Sequence, residues 1–452
     1  MPQSWNDPNL PWQNAALPWK NSALPWNNSG LPWRQGGSSF VATTLIVGTR
    51  GGFPVGIVVI STDATRAKTC RSRHYIGGQN CTELRLAFGG RWAGAAGAGE
   101  VALGNDHTLE CAIEIPTAPT QTVQLTFSGS NSVTIASGAE IVVSDVVLPA
   151  AFGLSVFPAN EQIWVRHSRV CANPGNILIN GTSGANPAIA GESAVSFNPD
   201  VDGNQVNATG ALTTTGSTRA SYAGRLLPFG ILGKTAAAEL AVLGIGDSIV
   251  LQLDDTNGDG NNGAGGWFQR ALASVNGRHV PYVLMAISSE RADYYANNSA
   301  GRQAMYQYAT HAITDHGGAD INANTSPANV LVDQRVIWNA LAAGGLQRVE
   351  QMLLTPHTSS TDSWATLANQ TLLEDADKTT ANNNIIANVG SDGLDAYFDN
   401  HTGTIADAVE PGKWVVDGSA NFSTDDGVHP GPTHHGLMAT AFAARVATWT
   451  AT

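Results

Sequence analysis

Ser248 closes the tripeptide Gly246-Asp247-Ser248, directly after the apolar run Ala241-Val242-Leu243-Gly244-Ile245. Near the C-terminus, Asp426-Gly427-Val428-His429 offers a carboxylate and an imidazole three residues apart. Serine is a poor nucleophile unless an imidazole takes its proton and a carboxylate fixes that imidazole's tautomer, so these three residue types suit acyl transfer through a covalent intermediate. Gly-Asp-Ser alone is a common turn in which Asp or Ser caps the next helix. The distant acid–imidazole pair gives it meaning. His434 and His435 are rival bases, but they follow Pro432-Thr433 and are expected to open the last helix. Asp425 is expected to be solvated.

The elements that must bring these residues together lie in the second half of the chain. From about residue 236, short apolar runs alternate with helical patterns. Strands are expected at 241–245 and His279–Met285, and helices from Trp267, over 300–312, 326–343 and 364–388, and from Leu437 to Trp449. Such alternation implies a parallel sheet with helices on both faces. In these sheets ligands bind at the carboxyl ends of the strands. Ser248 follows the first strand and the turn at Gly317 follows a later one, so both fall on that edge.

Residues 37–235 read differently. Short β-branched runs such as Thr82–Phe88, Thr122–Phe127, Ser132–Ile135, Glu140–Val143 and Gln162–Arg166 are separated by Gly, Asn, Ser and Pro clusters. This pattern predicts a sandwich or jelly roll. Such a domain binds carbohydrate, makes subunit contacts, or only spaces its neighbours; the pattern does not choose among these.

Residues 1–36 carry a repeat. Trp5, Trp12, Trp19, Trp26 and Trp33 recur every seventh residue, four of them within Leu-Pro-Trp. Proline excludes the coiled coil that a seven-residue period otherwise suggests. Extended units remain, each offering one large amphipathic ring, and five exposed tryptophans are a solubility liability. The tail is read as a docking array for a multi-copy protein assembly or for neighbouring copies of the chain, where repeated weak contacts gain avidity. A homo-oligomer is expected.

Bulk composition narrows the partners. The 452 residues exceed one typical core, so two or three domains are expected. Charged residues make up 13%, about half the usual share, and 49 glycines take up part of the difference. The net charge of −13 is scattered and no basic stripe exists, which argues against nucleic acid. No apolar run is long enough for a membrane-spanning helix, and no secretory signal is expected. This balance suits a virion or extracellular surface, with the cytoplasm as the alternative. Cys70, Cys81, Cys111 and Cys171 are expected to be free thiols rather than to include a Cys70–Cys81 bridge. Asp255-Thr256-Asn257-Gly258-Asp259-Gly260 matches the first half of a calcium loop, but Gly266 stands where the bidentate Glu belongs. No metal or other cofactor is expected.

Residues 236–452 resemble the SGNH, or GDSL-like, hydrolases. Gly246-Asp247-Ser248 matches the family's first block and Asp426-Gly427-Val428-His429 its last, and the D-x-x-H spacing selects Asp426 over Asp425. Between them, Thr310–Ile321 is similar to the strand and turn of the G-x-N-D block, and Val349–Pro356 to a later strand. The resemblance implies a flavodoxin-like three-layer α/β/α domain, behind the β-rich domain and the tail. It also implies a serine esterase with Ser248 as nucleophile, His429 as base and Asp426 as orienting acid. Oxyanion donors would be the backbone N–H groups of Ser248 and Ser289. Two positions depart from the pattern: Ser289 stands for a glycine, and Ala319 stands where a side-chain amide is expected. Losing one oxyanion donor costs about 100- to 1,000-fold in rate; Asn322 or Asn324 from the same loop is the candidate replacement. An esterified surface glycan is the expected substrate, in a phage spike or fibre. The rival is a hydrolase fold kept as a structural or glycan-binding virion protein. Asp320 is expected to support the loop.

Overall fold

The computed structural model describes residues 43–94, 99–182, 189–224, 226–256, 262–399 and 404–452. The described residues from 43 to 452 form one compact unit. The tail tryptophans Trp5, Trp12, Trp19, Trp26 and Trp33 therefore lie outside the described residues, as do 257–261 of the calcium-like loop.

A six-stranded parallel sheet carries the second half. Its strands are β1 (Gly51–Gly52), β2 (Val242–Ile245), β3 (Tyr282–Leu284), β4 (His311–Thr314), β5 (Arg348–Met352) and β6 (Ala396–Phe398), in the order β1-β3-β2-β4-β5-β6. Without β1, this is the doubly wound order 2-1-3-4-5, whose direction reverses between β2 and β4. Side chains alternate across the sheet as strand geometry demands. Leu243, Ile245, Val283, Ala312 and Val349 point into one core, while Val242, Tyr282, Leu284, Ile313 and Met352 point into the other.

Helices cover both faces. Trp267, Phe268 and Leu272 of α2 (Gly266–Leu272) and Met438, Phe442 and Val446 of the C-terminal helix Pro432–Val446 fill one core. Tyr295 of α3 (Ala292–Asn297), Ile337, Trp338 and Leu341 of α5 (Pro327–Ala343), and Ile385 of α6 (Asp375–Ala387) fill the other. Two short helices stand at the carboxyl edge: α1 (Ser248–Leu251) after β2, and α4 (Gly318–Asn322) after β4. The C-terminal helix, α7, begins at Pro432, so His434 and His435 sit in its first turn. No described helix is long and apolar enough to cross a membrane.

Besides the two-stranded pairs Pro54–Val59 with Ile177–Thr182 and Arg91–Ala93 with Glu100–Ala102, the upstream half holds two larger antiparallel sheets. One orders Leu45–Ile46, Gly230–Thr235, Cys81–Phe88 and Val142–Val143; the other is built around His107–Glu114, Gln162–Val170 and Ala67–Tyr75. Leu84, Leu86 and Phe88 of the first meet Leu109, Cys111, Ile113, Ile163 and Val165 of the second in one core. All four cysteines are buried and free.

The change of pattern at 235/236 is not a gap between bodies. Gly51 pairs with Val283 and Gly52 with Leu284, so a segment from the β-rich half forms the edge of the parallel sheet. Phe53, Phe229 and Leu232 pack into the same core as Leu243 and Val283. The expected helix over 300–312 is replaced by Ala300–Gln303, a 3-10 turn at Tyr306–Tyr308 and then β4. That over 364–388 shortens to α6, because Thr358–Ser360 and Gln370–Leu372 pair as a hairpin before it.

Candidate active site

The turn that presents Ser248 is held by a carboxylate from the neighbouring strand end. Asp315, just beyond β4, accepts hydrogen bonds from the backbone of Asp247 through Oδ1 (2.9 Å) and of Val250 through Oδ2 (3.0 Å). Gly246 is held at φ 150°, and a Cβ there would stand 1.6 Å from Asp315 Oδ1. Only glycine fits. Asp247 caps α1 by accepting from Ile249 N at 3.0 Å. Burial raises the pKa values of both Asp247 and Asp315; the charge of Asp247 raises that of Asp315 further, whereas the bond from Ile249 N works against the rise at Asp247.

The three residues singled out by their chemistry meet. Ser248 Oγ lies 2.8 Å from His429 Nε2, and His429 Nδ1 lies 2.6 Å from Asp426 Oδ2. The other oxygen of Asp426 accepts from the backbone of Val428 (2.7 Å) and of His429 (2.8 Å), which fixes acid and imidazole as one unit. The loop is pinned where Gly427 O accepts from Trp414 Nε1 at 2.9 Å and from Thr358 N at 3.1 Å. Burial works against Asp426, yet the bonds from His429 and from the backbone hold its pKa well below the usual carboxylate range. Burial likewise opposes charge on His429, but the hydrogen bond and charge of Asp426, then Asp254 and Asp247, raise its pKa.

Asp254 is an addition that the motifs do not signal. Its Oδ2 stands 3.5 Å from His429 Nδ1, so two carboxylates face one imidazole nitrogen. It sits at φ 65°, an uncommon conformation for a side chain. Its neighbours are anchored: His435 Nε2 bonds Leu253 O at 2.8 Å, and Asp255 accepts from Gly266 N at 2.8 Å and from Arg270. His435 is thus occupied holding this loop, while His434 packs on Phe422. Neither competes with His429. Asp425 is exposed, as expected.

A cavity of about 390 Å³ opens in front of Ser248 and His429. Ser289, Ala319 and Asn322 line it; Asn324 does not. Ser289 holds φ 60°, the left-handed conformation that glycine adopts at least cost. Its loop is fixed by Glu290, which is fully buried and grips Arg302 with both oxygens at 2.6 and 2.7 Å. Asp320 ties the same loop to α4 by accepting from Ala292 N at 2.9 Å, so its part is structural. Burial raises its pKa to about 6. Ala319 brings no amide, but Asn322 lies three residues further along α4, on the same helical face. Asn322 Oδ1 is buried without a hydrogen-bond partner among the described residues. Arg291, Tyr294 and Lys378, which no motif announced, also line the wall, with Thr355 from the Val349–Pro356 block.

No family model matches the sequence, and no curated protein does. Among solved structures, the chain resembles GDSL-type hydrolases and carbohydrate esterases. A GDSL-like lipase from Bacteroides thetaiotaomicron is 13% identical over 46% of this chain and 87% of its own, with a TM-score of 0.31. A family three carbohydrate esterase from Talaromyces cellulolyticus is 17% identical over 46% and 96%, at 0.31. A family two carbohydrate esterase from Clostridium thermocellum is 10% identical over 87% and 98%, at 0.34.

Proposed function

We propose that this protein is a serine ester hydrolase of the SGNH type, acting on ester groups such as the O-acetyls of a surface polysaccharide. The observation that carries this reading is the unbroken run of short contacts from Ser248 Oγ through His429 to Asp426. His429 takes the proton of Ser248 as its oxygen attacks the acyl carbon, and Asp426 stabilises the imidazolium that forms. The oxyanion is held by the backbone N–H groups of Ser248 and Ser289 and by the amide of Asn322, which stands in for the donor absent at Ala319. His429 returns its proton to the departing alcohol. Water, activated by the same imidazole, then releases the acid and restores Ser248. The scheme calls on no metal or cofactor.

The low share of charged residues and the Leu-Pro-Trp repeat support a setting in a multi-copy surface assembly such as a virion spike or fibre, docked through Trp5, Trp12, Trp19, Trp26 and Trp33. Ala319 favours a second reading, a hydrolase fold kept for glycan binding. Turnover of p-nitrophenyl acetate separates the two. The wild type is expected to exceed Ser248→Ala by a factor of 1,000 or more. Equal, background rates would remove the hydrolase reading, and glycan binding unaffected by Ser248→Ala would then support the second.

A further inference from the structure

The chain carries a net charge of −13, yet two cationic side chains, Lys378 and Arg291, face the cavity before Ser248, beside the His429 base. The one carboxylate in the wall, Asp247, is engaged in capping the nucleophile turn. Asp254 and Asp426 face the far nitrogen of His429 and do not line the cavity.

Lys378, on α6, is only 7% exposed. Its Nζ donates to Thr355 O at 3.2 Å. An ammonium has three N–H donors, and among the described residues that carbonyl is its one hydrogen-bond partner. No described carboxylate forms an ion pair with it. Asp247, Glu374 and Asp375 act on it only from a distance, and Glu374 is itself bound to His357 at 2.6 Å. A buried ammonium without a contacting counter-charge is costly to fold around. Arg291, nearer solvent, stacks 4.2 Å over the Tyr294 ring and bonds Asp293, which leaves part of its donor fork open.

We propose that the ester accepted here carries a carboxylate, for which Lys378 is the buried counter-charge and Arg291 the outer one. The proposal rests on the hydrolase reading for the reaction, but not for the binding. A carboxylate placed in the cavity accepts the unused N–H groups of Lys378 and supplies the missing opposite charge. The charge belongs either to the acyl part, as in the half-ester of a dicarboxylic acid, or to the alcohol part, as in an O-acetylated uronic acid.

Two matched pairs of substrates test this: p-nitrophenyl acetate against p-nitrophenyl hemisuccinate, and O-acetylated galactose against O-acetylated galacturonate. The wild type is expected to favour the anionic member of one pair in kcat/KM, which also identifies the side bearing the charge. Lys378→Met should lower that anionic-to-neutral ratio about tenfold or more, the value of one charge-assisted hydrogen bond. Lys378→Arg should keep most of it, and Arg291→Gln should lower it less. Taking a ratio within each variant cancels any loss of folded protein. A ratio unchanged by Lys378→Met, or no anionic preference in either pair, overturns the proposal. Calorimetric binding of succinate and galacturonate to Ser248→Ala, with and without Lys378→Met, provides a readout independent of turnover. Lysine-dependent anion binding by a protein with no turnover keeps the anion site and removes the hydrolase reading. Turnover without anion preference or anion binding does the reverse.

Discussion

Asp254→Asn removes a charge beside the imidazole while leaving the Asp426 bond in place. The carboxylate oxygen is 3.5 Å from His429 Nδ1. At that separation Coulomb's law gives ~5 kcal/mol in a medium of intermediate dielectric and ~1 kcal/mol in water. The Asp254 side chain is 38% exposed, so solvent screening favours the lower figure. About 1 kcal/mol is somewhat under one pH unit. The sign follows from the charges. Asp254 stabilises imidazolium, so it contributes to the raised pKa of His429, and its removal frees the base at lower pH. The acid limb of kcat/KM should therefore move down by about 0.5–1 unit, with the plateau rate nearly kept. Asp426→Asn should move it further and cut kcat by up to about 10,000-fold, since the tautomer is no longer held. The double variant should fall below Asp426→Asn alone. The assay is a pH–rate profile on p-nitrophenyl acetate, with an NMR titration of His429 in Ser248→Ala as the direct measurement. Superimposable titrations for His429 with and without Asp254 would refute the electrostatic argument.

Two further predictions concern the turns around the nucleophile. Gly246→Ala forces a methyl against Asp315 Oδ1, 1.6 Å from where its Cβ must go, and should cost about 1–3 kcal/mol in urea unfolding together with most of the activity; unchanged stability would mean that the two carboxylate-linked turns separate easily. Asn322→Ala should lower kcat about 100-fold or more while KM changes little, whereas Asn324→Ala should stay near wild type. If both match the wild type, the oxyanion is held by backbone donors alone.

The grouping of Ser248, His429 and Asp426 was legible in the sequence because it is carried by short spacings. Gly246-Asp247-Ser248 needs only a strand to end before it, and Asp426 and His429 lie within one turn of chain. Asp315 was harder to see. It stands inside the Thr310–Ile321 segment, but its grip on residues 247 and 250 follows only once β2 and β4 are neighbours. Asp254 was hidden by its backbone: φ 65° turns the chain in a way that residue type does not announce. Lys378 falls in a segment expected to be helical, but whether a lysine faces solvent or a cavity depends on packing against the β5–α6 loop at Thr355. β1 escaped because Gly51 and Gly52 carry no side chains, and strand patterns are read from side chains.

Those two glycines couple the halves of the chain through the sheet. A shortened protein starting near residue 236 would keep every group of the Ser248–His429–Asp426 run, yet the edge of β3 would lose its backbone partner. Phe53, Phe229 and Leu232 would leave with the excised part, uncovering Leu243 and Val283 beside a bare strand edge, the combination that invites sheet-to-sheet aggregation. The β-rich half is thus a permanent wall of the protein's interior, and engineering that treats it as a removable module begins by opening that interior to water.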